Sequence, residues 1–562
     1  EAAARSALLL SAADRVGVAG RLGPEGEEID PLDLAAVEAL LDRATEADAV
    51  AIVGLHSYAN DAHERAIADV LRPTGTPLSI SADVLPEFRE YERTATTVVN
   101  AYVQPIMQRY LGNLRTALTA KDAPVRAERL EIMGSAGGLL PVDRAVRAPV
   151  HTVLSGPAGG VVGALAWAQA VGRAGVVTFD MGGTSTDVSL CPGHPLRMRE
   201  FEIAGVPVAI PVLDIHTVGA GGGSIARVDA GGALRVGPES AGADPGPICY
   251  GRGGTEVTVT DAHVWLGRIP TDAFAAGDNA LDREAPLTRL AYALGTSLEE
   301  AALGVLEVAT TTMERALRVI SVERGFDPAD LALVAFGGAG GLHAADLSVR
   351  LGCAEALVPP ASGLLSAWGI LAAPPVHEVS RSVLRPIDDV ELPQIRDELT
   401  AAARAVLEAE GVPAEETEVE AHVDLRYRGQ SFELRVPAEG SGTEWAEAFH
   451  SSHQQRYGYA RRDRGVEAVT LRAVARGRAR ELVEATVEAA APGRTNRPAV
   501  SRILLNGTAH DLPVIHRAQL SDDSAQSGPL TVIDDSATTW VPDGFEVRAH
   551  ESGVLRLRRL PG

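Results

Sequence analysis

A chain of 562 residues, 46% of them hydrophobic and 22% charged, is long enough for several domains and apolar enough for a sizeable core. Its net charge of −24, from 75 acidic against 51 basic residues, argues against nucleic acid and anionic membrane surfaces as partners. Lys121 is the only lysine and no glycine loop precedes it, so a Walker A loop is excluded and a PLP Schiff base would have to fall on that one residue.

Cys191, Cys249 and Cys353 lie far apart and form no CxxC pair, hence neither a zinc framework nor a disulfide scaffold. A reducing compartment, the cytoplasm, is expected. Glu1–Arg5 has no basic region ahead of a long apolar stretch, so no signal peptide is read there. Residues 153–172 are uncharged and long enough for a membrane span, but Pro157, a glycine run and Gln169 favour a buried loop followed by a helix.

In chain order, residues 31–48 carry Leu34, Val37, Leu40 and Leu41 at helical spacing and predict a surface helix. The apolar run 49–55 predicts a buried strand, 63–71 a helix and 78–81 a second strand. A long helix is expected over 94–120, then Leu130–Met133 and a loop at 134–138. Ser155 opens a small-residue helix reaching about Ala170. From 150 to 370 the chain repeats short apolar strands ahead of glycine turns. Residues 305–324 form an amphipathic helix, with Leu306, Ala309, Met313, Leu317 and Ile320 on one stripe and Gly325 as its stop. Beyond Pro374 the pattern turns to half-exposed strands, 422–427 and 432–436, around a Gly429-Gln430 turn. The Pro/Ala-rich stretch 489–498 predicts a loop.

Chemistry concentrates at two glycine turns. Gly175–Phe179 reads as a buried strand running into Asp180-Met181-Gly182-Gly183-Thr184-Ser185-Thr186-Asp187, then Val188–Leu190. Gly182 and Gly183 let backbone N–H groups approach an anion, and Thr184 and Thr186 add hydroxyl donors. Asp180 and Asp187 flank the turn as hard oxygen ligands able to hold Mg²⁺ through water. The competing reading is an ordinary hairpin with surface carboxylates. The second turn follows the buried strand 331–336: Gly337, Gly338, Ala339, Gly340 and Gly341, after which Leu342 opens a helix. A nucleotide can lie against such bare backbone. A dinucleotide fingerprint fails, because the sixth position after Gly338 and Gly340 is His343, and no acidic residue follows at the expected distance.

Asp214 and His216 form a further candidate, next to Gly219–Gly223. As alternate residues of a strand they would project one way into a shared pocket. Two readings stand: a catalytic pair that orients substrate, binds a second metal or carries protons, or a hydrogen-bonded pair that supports the glycine loop. His263 and His343 read as satisfied core histidines and Cys249 as a packed thiol. No GxSxG or HExxH motif supports a serine hydrolase or a zincin.

The order small-residue helix, strand-DxGGTxxD, amphipathic helix, strand-GGxGG resembles the actin, hexokinase and chaperone ATPase superfamily, an α/β fold with ribonuclease-H-like halves around ATP. In wording the chain is similar to the hydantoinase A/5-oxoprolinase family. The stretches that carry this are Glu90-Tyr91-Glu92-Arg93-Thr94, 154–160, 179–187, 214–224, 244–254, Thr260-Asp261-Ala262, 334–344 and Arg456-Tyr457-Gly458-Tyr459. They span essentially the whole chain. Two departures stand out. The family opens with a first DxGGTxxD loop, which the resemblance implies is missing here together with about a hundred residues, half a typical domain. Gly341 also stands where the family usually has proline.

The resemblance implies an N-terminal remainder at 1–95, a core with nucleotide loops at 96–378 and a C-terminal β-rich α+β domain at 379–562. It further implies ATP and Mg²⁺, with Mn²⁺ or a monovalent cation as alternatives. Asp180 and Asp187 would hold the metal; Gly182, Gly183, Thr184, Thr186, Gly337, Gly338, Gly340 and Gly341 would bind nucleotide. The implied activity is ATP-driven opening of a small cyclic amide (a hydantoin, N-methylhydantoin or 5-oxoproline), completed by a hydantoinase B-like large subunit in a hetero-oligomer. An ATP-using subunit of an acetone- or acetophenone-type carboxylase, and a truncated scaffold subunit, are the alternatives.

Overall fold

The structure, a computed structural model, describes residues 10–120, 129–270, 287–480 and 500–561. Lys121, the first five residues and the loop expected at 489–498 lie outside the described residues. The chain forms two compact units, each assembled from separate stretches: Glu1–Ser155, Met198–Val212 and Pro374–Ala479 in the first, Gly156–Arg197, Leu213–Ala373 and Arg480–Gly562 in the second.

In the first unit the two early apolar runs become the parallel strands Val50–Ile52 and Leu78–Ile80, with the helix Ala62–Leu71 packed beside them. The helix expected over 31–48 is instead two short ones, Leu34–Glu38 and Leu41–Glu46; Asp33 caps the first, and Val37 and Ala44 are their buried residues. The long helix is Glu90–Thr119. Its buried Asn100 is fully satisfied: the side-chain amide donates to Ser79 Oγ at 2.9 Å and to the Arg147 carbonyl at 3.1 Å, and its oxygen accepts from Val150 N. A four-stranded antiparallel sheet runs in the order Val376–Pro386, Val466–Arg476, Glu418–Tyr427, Leu434–Pro437. The helix Leu392–Ala409 buries Leu392, Ile395, Leu399, Ala403 and Leu407 in the core of this sheet, a stripe of three- and four-residue spacing. Arg472 is buried on the sheet and held by three carboxylates, Asp424 at 2.7 Å, Glu87 at 2.8 Å and Glu378 at 3.5 Å.

The second unit is built on one eight-stranded mixed sheet. Its strands are β1 Gly175–Met181, β2 Thr186–Pro192, β3 Ile215–Val218, β4 Ala332–Phe336, β5 Ala356–Val358, β6 Gln526–Ser527, β7 Phe545–Ala549 and β8 Leu555–Arg559. The spatial order is β3-β2-β1-β4-β5-β8-β7-β6. β1, β2 and β3 are antiparallel neighbours, β4 and β5 run parallel to β1, and the last three strands return antiparallel. β1 and β4 are apolar almost throughout, as a strand covered on both faces must be. Four helices matter for the site: α1 Ser155–Ala170, α2 Val259–Leu266, α3 Leu298–Ile320 and α4 Gly340–Leu351. α3 begins earlier than its apolar stripe suggests, because Ser297 and Glu300 form a capping box. α1 lies backbone to backbone against the helix Leu365–Ala372: a Cβ on Gly159 would sit 2.5 Å from the Ser366 carbonyl, and one on Gly369 1.9 Å from the Gly159 carbonyl.

The divisions at residues 95 and 378 that the resemblance implies cut the chain into consecutive spans, whereas each compact unit gathers separate stretches. The span 379–562 is shared between both. Its last part joins the second unit because β8 pairs with β5, Leu357 opposite Arg556, and the strands Val500–Leu505, Thr508–His516, Leu530–Ile533 and Thr538–Val541 form a further sheet there.

Candidate functional site

β1 and β2 form a hairpin whose turn is only Gly182–Ser185, closed by Gly182 N donating to the Ser185 carbonyl at 3.1 Å. The register sets Asp180 directly opposite Asp187, and Thr217 of β3 directly opposite Asp187. Residues paired this way share one face of the sheet. Thr217 Oγ1 donates to Asp187 Oδ1 at 2.5 Å, and the Ser366 hydroxyl is bound to Asp180. Burial and the neighbouring Asp187 push the Asp180 carboxyl up to about 6, only partly offset by Ser366. Burial likewise raises Asp187, with Thr217 opposing. Among the described residues neither aspartate forms an ion pair. The two are therefore an uncompensated pair of hard oxygen donors.

That donor set fits Mg²⁺, which takes one or two carboxylates and completes its shell with water and phosphate oxygens. No group of three or more His, Cys, Asp or Glu that could hold a metal occurs among the described residues.

Around the carboxylates, glycine is required where backbones meet. Gly222 N and Gly223 N donate to the carbonyls of Gly182 and Gly183 at 3.0 and 2.6 Å, docking the 219–223 loop on the turn. A Cβ on Gly221 would lie 2.7 Å from Thr184 backbone. Gly337 has φ +78°, and a Cβ there would lie 2.4 Å from both Asp180 Oδ1 and the Met181 carbonyl. By contrast Gly183 and Gly338 have open space where a Cβ would go, and Gly182 has only one atom, at 3.9 Å. These are the backbones a ligand can approach.

Gly182, Gly183 and Gly338 line one cleft of about 220 Å³ together with Gly222, Tyr250, Thr260, His263, Ala339, Leu342 and the Asp534–Thr538 turn. Thr184 is exposed on the same hairpin turn. Thr186 is not on the open side: it is fully buried, and its hydroxyl donates to the Ala220 carbonyl. Gly340 and Gly341 begin α4, and Gly341 faces β-structure, since a Cβ there would meet Thr539 Oγ1 at 2.6 Å and the Thr538 carbonyl at 2.7 Å. Its smallness serves that packing.

Asp214 and His216 do not form a pair. The strand alternates, so Thr217, opposite Asp187, shares the aspartate's face, while His216 points the other way and is exposed. The Asp214 carboxylate is taken by the Arg324 guanidinium. Cys249 is fully buried, with its backbone N–H on Asp261 Oδ1 at 2.7 Å, as a packed thiol should be.

The sequence gives no sign of a site role for Thr217, Ser366 or the 534–538 turn, and Thr260 enters it only within the stretch Thr260-Asp261-Ala262. Thr217 was open to inference from strand alternation once the register was known. The turn at 534–538 carries no local sign of its place beside a cleft formed some 200–350 residues earlier.

Among the described residues no helix is long and apolar enough to cross a membrane. A hydantoinase/oxoprolinase family model matches residues 93–379, and a hydantoinase/oxoprolinase N-terminal region model matches 4–75. The caprolactamase subunit alpha of Pseudomonas jessenii is 32% identical over 568 residues, covering 96% of this chain and 81% of that protein. A crystal structure of ATP-dependent caprolactamase from the same organism superposes with a TM-score of 0.83 at 31% identity, over 99% of this chain and 83% of that one. 5-Oxoprolinase 1 of Arabidopsis thaliana is 32% identical over 96% of this chain, which spans only 44% of that longer protein. A nucleotide-free acetone carboxylase, at 24% identity and a TM-score of 0.73 over 100% of this chain and 86% of that one, shares the mixed α/β fold. By these matches the chain belongs to the hydantoinase/oxoprolinase family.

Proposed function

We propose that this chain is the ATP-using part of an enzyme that opens a cyclic amide by phosphorylating its carbonyl oxygen. The observation that carries this reading is the uncompensated Asp180–Asp187 pair at a glycine turn whose backbone opens into a cleft. Relatives named caprolactamase subunit alpha and 5-oxoprolinase, and a structural neighbour named ATP-dependent caprolactamase, support it. The strand order β3-β2-β1-β4-β5, antiparallel through β1 and parallel after it, supports an actin- and hexokinase-like, ribonuclease-H-like core. A dinucleotide fold would be mostly parallel, with helix crossovers between its strands.

In this reading Asp180 and Asp187 hold Mg²⁺ (Mn²⁺ or a monovalent cation being alternatives), and Thr217 and Ser366 orient the two carboxylates. The metal would neutralise phosphate charge during transfer. Gly183 and Thr184 donate backbone N–H groups, and Thr184 its hydroxyl, to phosphate oxygens, while the Gly182 N–H holds the turn closed. Gly338 and Ala339 face the adenosine end. Asp261 anchors the cleft wall, accepting from Thr258 N and Cys249 N at the start of α2.

The chemical problem is amide resonance, which makes the ring carbonyl a poor target for water. Attack of the carbonyl oxygen on the γ-phosphorus forms an O–P bond, releases ADP and leaves an electrophilic carbon with phosphate as leaving group. Water addition and ring opening are assigned to a hydantoinase B-like partner, a division supported by the relative's designation as a subunit alpha.

The test is ATP hydrolysis by the protein purified with its partner, offered 5-oxoproline, hydantoins, larger lactams, and ketones with bicarbonate. Stimulation by a cyclic amide is expected. Stimulation only by ketone plus bicarbonate would place the chain with the carboxylases, and silence throughout would favour a scaffold role.

A further inference from the structure

The cleft floor contains a polar relay that the two-carboxylate site does not use. His263 on α2 and His343 on α4 are 1% and 2% exposed, and their Nε2 atoms lie 3.1 Å apart. On the far side His343 Nδ1 lies 3.1 Å from Thr310 Oγ1 of α3. Burial holds both rings neutral, His263 well below its usual range and His343 down to about 3. A neutral imidazole has one N–H and one bare nitrogen, so the contact between the rings needs one of each.

The relay has a direction. The Thr310–His343 contact fits either tautomer, and donation by Thr310 is the sense that gives its hydroxyl proton an acceptor among the described residues. His343 then carries its own proton on Nε2 and donates to His263 Nε2. His263 is left with its proton on Nδ1. That Nδ1 is buried and has no hydrogen-bond partner among the described residues. A buried donor without an acceptor is costly and rare in a native structure, and it calls for a group that completes it.

His263 lines the cleft among Tyr250, Val259, Ile269, Ala339 and Leu342. It sits one helical turn beyond Thr260, which donates to the Gly222 carbonyl beside the phosphate turn at 2.8 Å. A polar backbone end and an apolar end with one donor suit a phosphate group and a flat heteroaromatic ring respectively. We propose that His263 reads the nucleotide base, its Nδ1–H donating to a ring nitrogen of a purine, with His343 and Thr310 as positioning residues that fix the direction of the proton. This rests on the nucleotide reading of the cleft given above.

The experiment is competition of 1-deaza-, 3-deaza- and 7-deaza-ATP against a fluorescent ATP analogue on the full chain. Each deaza compound replaces one ring nitrogen by C–H and leaves shape and charge alone. One of the three is expected to bind wild type about tenfold more weakly than ATP, equivalent to about 1.4 kcal/mol. His263→Phe should bind ATP and that analogue alike, and Thr310→Val, which keeps His263 but removes the proton that polarises it, should narrow the difference. Equal binding of all three analogues to wild type would overturn the proposal, and so would a preference that survives in His263→Phe; an unchanged preference in Thr310→Val would remove the positioning role. The wild-type series needs no variant, so a folding defect in His263→Phe leaves it decisive. Failure of wild type to bind ATP at all would instead overturn the nucleotide reading itself.

Discussion

Gly337→Ala and Gly338→Ala, one residue apart, are expected to behave oppositely. At Gly337 the backbone is left-handed, φ +78°, which costs a residue with a Cβ about 1–2 kcal/mol. The added methyl also has no room: it would lie 2.4 Å from Asp180 Oδ1 and from the Met181 carbonyl, and overpacking of this kind typically costs about 1–3 kcal/mol. The sum, about 2–5 kcal/mol, is a large share of the 5–15 kcal/mol that holds a typical protein folded. Relief of the clash must move Asp180, so nucleotide binding should fall with stability. Gly338 has no left-handed φ and nothing within 4 Å of a Cβ, so alanine there should be neutral or stabilising by up to about 1 kcal/mol. It lines the cleft, and its methyl should weaken ATP binding in a well-folded protein. Thermal and urea unfolding, with nucleotide titration of each variant, measure both effects. A Gly337→Ala protein as stable as wild type would refute the packing argument, and a destabilised Gly338→Ala would contradict the open space beside that glycine.

Two further outcomes follow from electrostatics. Asp180 is held above its ordinary range by burial and by Asp187, so Asp180→Asn should stabilise the metal-free chain by about 1–2 kcal/mol; urea unfolding in EDTA checks this, and a loss of stability would mark the pair as structural. Glu355 is fully buried and bound by Arg173, Arg556 and Arg558, which hold its carboxyl down to about 2. The contribution of a depressed carboxylate is complete above its unfolded value of about 4.5 and is lost as pH falls toward 2. Glu355→Gln should cost about 2–3 kcal/mol at pH 7, less than the 3–5 of a fully buried pair because its arginines are partly exposed, and the difference from wild type should vanish in acid. Equal stability of the two proteins at pH 7 would contradict it.

Local chemistry was legible in the sequence. The helix from Ser155 to Ala170, the strand into the Gly182 turn, and the strand Ala332–Phe336 into the second glycine turn all announce themselves by apolar period and by glycine. The two aspartates were legible as the flanks of a short turn between strands, while their standing directly opposite each other comes from the register. Register was not. Thr217 is the β3 residue opposite Asp187, with His216 opposite Val188, and nothing within residues 214–218 says which residue meets Asp187. Long-range pairing was equally hidden: β8 completes the sheet beside β5 from nearly 200 residues away, and a strand's sequence does not name its neighbour. Thr186 shows the same limit on a smaller scale, since alternation buries it while its neighbour Asp187 is only partly covered.

The central claim, that nucleotide binds in this cleft through a metal held by Asp180 and Asp187, is tested most directly by calorimetric titration of ATP with and without Mg²⁺. Wild type and the Asp180→Asn/Asp187→Asn double variant would be compared side by side. The account predicts Mg²⁺-dependent binding in wild type that disappears in a double variant of undiminished thermal stability. Binding that is indifferent to Mg²⁺, or retained in the double variant, would contradict it.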